Sequence, residues 1–150
     1  MKLDRTLTAT VYVVNKDRVL LHMHKKYNSL FALGGHMKPD ELPHETAIRE
    51  VFEESGLEVK LLNEDNKLDL GKVVQLNKPR YVLLENVGHP IENIDFIFFA
   101  TTSKEEFKPQ DGESKDLYWL TKEEIIDNKD IKPHIKSMAL DALNTVKGEI

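Results

Sequence analysis

The chain has 150 residues, 40% of them apolar and 31% charged, with 26 acidic against 21 basic side chains and a formal charge of −5. That balance suits one folded domain over residues 1–150, whose core buries about two thirds of the surface the unfolded chain exposes. It speaks against a broad nucleic-acid surface, which relies on Lys and Arg to neutralise phosphates, and the absence of cysteine excludes a disulfide framework and any thiolate metal site.

The opening, MKLDRTLTATVYVV, has no apolar signal core, and no run approaches the roughly 18 apolar residues of a membrane span, so a cytoplasmic location is expected. Leu7, Ala9, Val11 and Val13 alternate with Thr6, Thr8, Thr10 and Tyr12, the period-2 pattern of a half-buried strand. Asn15-Lys16-Asp17 turns that strand into a second, Arg18 to His24. Leu30 to Leu33 is a short apolar run leading to Gly34-Gly35. Pro43 to Ser55 then reads as a helix, with Pro at its first position and Gly56 as a left-handed terminator. Beyond it, Leu57 to Leu62 and Leu70 to Leu76 read as strands around a polar loop, Asn63 to Lys67; Asp65 and Asp69 are expected to be solvated.

Tyr81 to Glu85 is a further strand, closed by turn signals at Gly88 and Pro90. Ile94 to Thr101 is apolar on both faces from Phe96 to Ala100, the mark of a central strand. Phe107 to Ser114 reads as a loop, followed by a short strand, Leu117 to Leu120, around the only tryptophan, Trp119. Ile135, Met138, Ala139, Ala142, Leu143 and Val146 form the stripe of an amphipathic helix, with Pro133 near its start and Gly148 past its end. Strands and helices interspersed without a linker or repeat point to an α/β fold, a sheet covered on both sides by helices.

The chemistry concentrates between Gly34 and Leu57, GGHMKPDELPHETAIREVFEESGL. At about 100° per residue, Glu50, Glu53 and Glu54 share roughly a third of the helix circumference, whereas Ala47, Ile48, Val51 and Phe52 crowd a different face. Like charges at i, i+3 and i+4 repel by a few tenths of a kcal/mol per exposed pair, and by more as the site dries out. A cation among them removes the conflict. A solvated acidic face is the alternative, and the pairs Glu45–Arg49 and Arg49–Glu53 suit it. The preceding diglycine favours the cation, because it lets backbone approach a phosphate or offer a carbonyl to a metal.

From Gly35 the residues run through five positions to Glu41, then seven more to Arg49-Glu50-Val51-Phe52-Glu53-Glu54-Ser55-Gly56-Leu57. This resembles the Nudix box, G-x5-E-x7-R-E-U-x-E-E-x-G-U with U apolar, at every defined position. The resemblance implies a Nudix-type α/β/α sandwich with a mixed β-sheet, the box forming a loop, helix and loop on one flank. It implies Glu53 and Glu54 as metal ligands together with the Gly35 carbonyl, with Gly34 supporting the loop. Glu50 would be the general base or a further ligand, Arg49 would orient Glu50, and Glu41 would support the site from the loop or cap the helix. Some relatives take an additional acidic ligand from a loop before a Trp-containing strand. By that comparison Glu113, six residues before Trp119, is a candidate ligand or base, ahead of Asp111 and Asp116. Leu33 stands where many members have Pro, which softens the loop without removing a ligand.

Carboxylates without cysteine favour Mg²⁺, with Mn²⁺ as a substitute, and an acidic site holds an anionic phosphate only with such a cation between them. Lys26, in the turn from Lys25 to Asn28, and Arg80 with Tyr81 are candidate substrate contacts, since cations clamp phosphate and Tyr stacks on a base; a solvated turn and a strand start explain them equally. His22, His24 and His36 are better read as strand or surface histidines than as a zinc cluster.

The expected reaction is Mg-dependent hydrolysis of a pyrophosphate bond in a nucleoside diphosphate linked to another moiety, such as a (deoxy)nucleoside triphosphate giving monophosphate and pyrophosphate. The alternatives are an RNA 5′-end pyrophosphohydrolase, against which the acidic balance counts, and a non-catalytic nucleotide-binding module of the same fold. The expected partner is a small nucleotide or nucleoside-diphosphate derivative, with no membrane or nucleic acid involved. Homodimer formation is open.

Overall fold

The computed structural model of the chain describes residues 3–24, 26–62 and 67–148. Lys25 and the Asn63 to Asn66 part of the expected polar loop, Asp65 included, lie outside the described residues. Strand β1 (Asp4–Asn15) outruns the alternating stretch that announces it, because a neighbour supports its whole length: β7 (Ile91–Thr101) runs parallel to it from Asp4↔Ile91 to Val14↔Thr101. The β1 chain turns through Lys16, at φ 56°, into β2 (Arg18–His24), as the Asn-Lys-Asp turn predicts.

The apolar run before the diglycine divides into two short strands. β3 (Ser29–Phe31) pairs with β2, and β4 (Leu33–His36) pairs antiparallel with β1 from Thr8↔His36 to Val11↔Leu33. The diglycine is therefore part of the sheet. Helix α1 (Pro43–Ser55) has the predicted bounds. Next come β5 (Lys60–Leu61) and β6 (Tyr81–Asn86), both antiparallel to β7, then β8 (Leu117–Thr121) against β2, and finally helices α2 (Lys122–Asp127) and α3 (Pro133–Gly148).

The sheet is mixed, with eight strands among the described residues. One of its faces meets α1 through Ala9, Val11, Val13, Leu20, Leu33 and Phe98, packed on Ala47 and Val51. The other meets α2 and α3 through Tyr12, Val14, Leu21, Ile97 and Phe99, packed on Ile125, Met138, Ala139 and Ala142. Apolar side chains thus leave water on both faces of β1 and β7, which is why β7 reads as a near-continuous apolar run.

Three expectations need correction. The strand expected over Leu57 to Leu62 shrinks to the two residues of β5. The strand expected over Leu70 to Leu76 does not form: a single Leu70↔Val73 bridge closes a turn at Gly71, whose φ is 68°, and Leu70, Val73 and Val74 are exposed, with no strand among the described residues beside them to bury their apolar faces. Gly148 is the last residue of α3 and not a residue past it. Among the described residues no helix is long and apolar enough to cross a membrane.

Candidate active site

Helix α1 starts at Pro43, whose missing N–H costs nothing in the first turn. Leu42 has no polar side chain to cap it, so only half a capping box forms: the Leu42 N–H donates to Glu45 Oε1 at 2.9 Å. At the other end the Gly56 N–H donates to the Phe52 carbonyl at 2.7 Å with φ 77°, and a side chain there would strike the Lys108 carbonyl. These two stops, and the burial of Ala47 and Val51, turn the face carrying Glu50, Glu53 and Glu54 toward the loop end of β4.

Arg49 is the hub. Its Nη1 donates to Glu50 Oε1 at 2.9 Å and to Glu53 Oε2 at 3.1 Å, and its Nη2 donates to the His36 carbonyl at 3.1 Å. Nε and Nη2 grip both oxygens of Glu41, at 2.5 and 2.9 Å. Glu41 also accepts from the Lys38 N–H and the Thr46 hydroxyl, each at 2.9 Å. The Arg49 bonds, helped by these two, pull the Glu41 carboxyl down to about 2. Glu41 is therefore a clamp on Arg49, and the helix cap is Glu45.

Glu54 is held differently. Its Oε1 accepts the Gly34 N–H at 2.9 Å, and burial pushes its carboxyl up to about 8, reinforced by repulsion from Glu50, Glu113 and Glu53. Its Oε2 lies 3.8 Å from His22 Nδ1, but burial pushes His22 down to about 4. With His22 held down in this way the contact is a polar approach and not an ion pair. Burial also raises Glu50, with Glu53 and Glu113 adding to it against the Arg49 bond. Gly35 faces Glu50 directly: a Cβ at that position would overlap the Glu50 carboxylate and push it aside.

Glu113 comes to the same place from far along the chain. The Lys108 N–H donates to the Ser55 carbonyl at 2.8 Å and the Gln110 N–H to the Glu53 carbonyl at 2.9 Å, stitching the 107–114 loop onto the end of α1. The loop brings Glu113 close enough to act on both Glu50 and Glu54. As the side chains stand, no three His, Asp or Glu groups among the described residues close around one point. Glu50 and Glu53 are turned onto Arg49 instead.

The candidate substrate contacts are not gathered here. Lys26 lies over the Tyr27 ring at 5.3 Å, in a cluster where His24 sits 4.8 Å from Tyr27 and 5.5 Å from Phe31. Arg80 and Tyr81 both bond to Asp141 of α3, and Tyr81 packs edge-on against Phe99, on the face of the sheet opposite α1. One polar feature escaped the sequence reading. Asp95, buried on β7, accepts from the Thr10 hydroxyl at 2.7 and 3.0 Å and faces Glu85; burial raises both carboxyls, and Asp95 raises Glu85 further, while the bonds from Thr10 and Glu85 work against the rise at Asp95. Its one signal in the sequence is an acid inside the apolar run IDFIFFAT.

Comparison with known proteins follows the same lines. The NUDIX domain family model matches residues 4–141. A hydrolase of the NUDIX family from Clostridium perfringens superposes with a TM-score of 0.87 at 39% identity, covering 96% of this chain and 99% of that one. An Ap4A hydrolase from C. elegans (TM-score 0.67, 17% identity, 95% and 98% covered) and an ADP-ribose pyrophosphatase from Streptococcus suis (0.62, 14%, 97% and 94%) share the fold. A search of curated proteins found no match. A chain that carries this domain over nearly its whole length, and shares more than a third of its residues with a hydrolase of that kind, belongs to the Nudix hydrolase family.

Proposed function

We propose that the chain, acting as one domain, hydrolyses a pyrophosphate bond in a nucleoside diphosphate linked to another moiety, with Mg²⁺ as the working cation and Mn²⁺ as its substitute. A (deoxy)nucleoside triphosphate cut to monophosphate and pyrophosphate is the simplest such substrate. The observation that supports the reading is the set of contacts tying the box to the Gly34-Gly35 backbone: the Gly34 N–H on Glu54, Gly35 against the Glu50 carboxylate, and the loop that carries Glu113 bonded to the end of α1. That two proteins of the same fold are named for Ap4A and ADP-ribose supports a nucleotide derivative as substrate.

The residues fit a hard divalent cation. Every candidate donor is an oxygen, and Glu54 lies buried under repulsion from Glu50, Glu113 and Glu53, against which stands the bond from the Gly34 N–H. Glu53, Glu54, Glu50, Glu113 and the Gly35 carbonyl would hold it. When bound, Mg²⁺ supplies neutralisation of phosphate charge and acidification of water.

The chain's own groups divide the rest. Glu50, its carboxyl raised by burial, is the general base that takes the proton of the attacking water as the phosphoanhydride bond breaks. Arg49 Nη1 aims Glu50 Oε1, and Glu41 holds the guanidinium in turn. The Gly34 N–H fixes one oxygen of Glu54.

Purified protein with Mg²⁺ is offered nucleoside triphosphates, nucleoside-diphosphate sugars and dinucleoside polyphosphates, with products read by mass spectrometry and pyrophosphatase-coupled phosphate release. Turnover of at least one class is expected, with Glu50→Gln slower by about 100-fold or more. No product from any class, or undiminished turnover in Glu50→Gln, removes the reading.

A further inference from the structure

Strand β6 is outermost in the sheet: it pairs with β7 from Tyr81↔Ile97 to Asn86↔Glu92 and, among the described residues, with no other strand. The Val87 N–H donates to the Ile91 carbonyl at 3.2 Å across the turn. That bond sets the phase of the ladder: Tyr81, Leu83 and Glu85 exchange bonds with β7, and the backbone groups of Val82, Leu84 and Asn86 point outward. Natural sheets blunt such an edge with lysine, proline or a bulge. This one has neither residue between Tyr81 and Asn86, and Val82 and Leu84 are 56% and 62% exposed. Through the pairs Leu84↔Ile94 and Leu7↔Ile94 the apolar row continues across three strands to Leu7, itself exposed.

We propose that a second copy of the chain closes this edge, β6 pairing antiparallel with the same strand of its partner about a two-fold axis normal to the sheet. Such an axis requires facing side chains to lie on the same face, so paired residue numbers sum to an even value. Centred on Leu83, the pairing sets Val82 against the partner's Leu84, Leu84 against the partner's Val82, and Leu83 against the partner's Leu83. On the α3 side it sets Glu85 against the partner's Tyr81, beside the partner's Arg80. Within its own chain Glu85 faces another acid, Asp95, while Arg80 is bonded to Asp141 at no better than 3.3 Å. A partly buried acid gains a cation beside it, and by symmetry it does so twice. Centring on Leu84 instead would oppose Leu83 with the partner's Glu85 and Val82 with the partner's Asn86, two apolar-to-polar mismatches. This match of the strand to itself, in both shape and charge, is what selects a second copy over an unrelated strand.

Sedimentation equilibrium of the full chain reads the outcome. The expected mass is twice 17.3 kDa. Leu84→Lys sets a charge against the partner's Val82 and is expected to halve the mass with the circular dichroism unchanged; Val82→Lys is expected to do the same. The sequence has no cysteine, so Leu83→Cys carries a single thiol that cross-links to its own copy under mild oxidation. Ile126→Cys, 50% exposed on α2, does not. A monomeric wild-type chain overturns the proposal. So does a dimer that survives both lysine variants, or cross-linking that is equal at positions 83 and 126.

Discussion

Both oxygens of Glu41 are engaged, by Arg49, by the Lys38 N–H and by the Thr46 hydroxyl. An acid held at about 2 in the fold, against 4.5 unperturbed, adds stability only where the folded state keeps it ionised and bonded. Its contribution is therefore complete above pH 4.5 and lost as pH falls through about 2. Glu41→Gln should be less stable than the parent at neutral pH by roughly 1–3 kcal/mol, with the gap narrowing between pH 4.5 and 2; urea titrations across that range check it. At Gly35 the constraint is steric. In Gly35→Ala the new methyl meets the far end of a flexible side chain, so the fold survives while Glu50 is displaced. A kcat lower by about 100-fold is expected from such a misplacement, with the melting temperature nearly unchanged.

Helix α1 was legible to the residue because its stops are local: Pro43 can only begin it, and Gly56 takes a φ that other residues resist. Gly56→Ala adds both left-handed strain and a contact with the Lys108 carbonyl, which has no freedom to swing aside. A loss of about 1–3 kcal/mol is expected, seen as a lower urea midpoint. Other elements were less legible. The Leu70 to Leu76 run has strand composition but no neighbour among the described residues to pair with, and pairing is what makes a strand. Helix α2 has too few residues to show an apolar period. Its mark is the capping box of Thr121 and Glu124, with bonds of 3.3 and 3.0 Å, written in the sequence as Thr-Lys-Glu-Glu.

At the scale of the molecule, two apolar layers hold the sheet between α1 and the α2–α3 pair. None of their buried residues is a candidate metal ligand. Removing divalent cations with EDTA should therefore abolish turnover and leave the far-ultraviolet circular dichroism unchanged, and adding back Mg²⁺ should restore activity. Loss of secondary structure on chelation would mean that the cation supports the fold as well.

The order of the box, the bounds of α1 and the face shared by Glu50, Glu53 and Glu54 were determined by the sequence alone, because helix periodicity and terminal stops act within a few residues. Tertiary structure alone decided the rest. It tied the Glu113 loop to the end of α1, brought His22 within 3.8 Å of Glu54, and carried Arg80 and Tyr81 to Asp141 on the opposite face. It also set Asp95 beside Thr10, 85 residues away in the chain. Those meetings depend on which strands pair and in what register, and register is chosen by burial summed over the whole sheet, which no short window of residues contains.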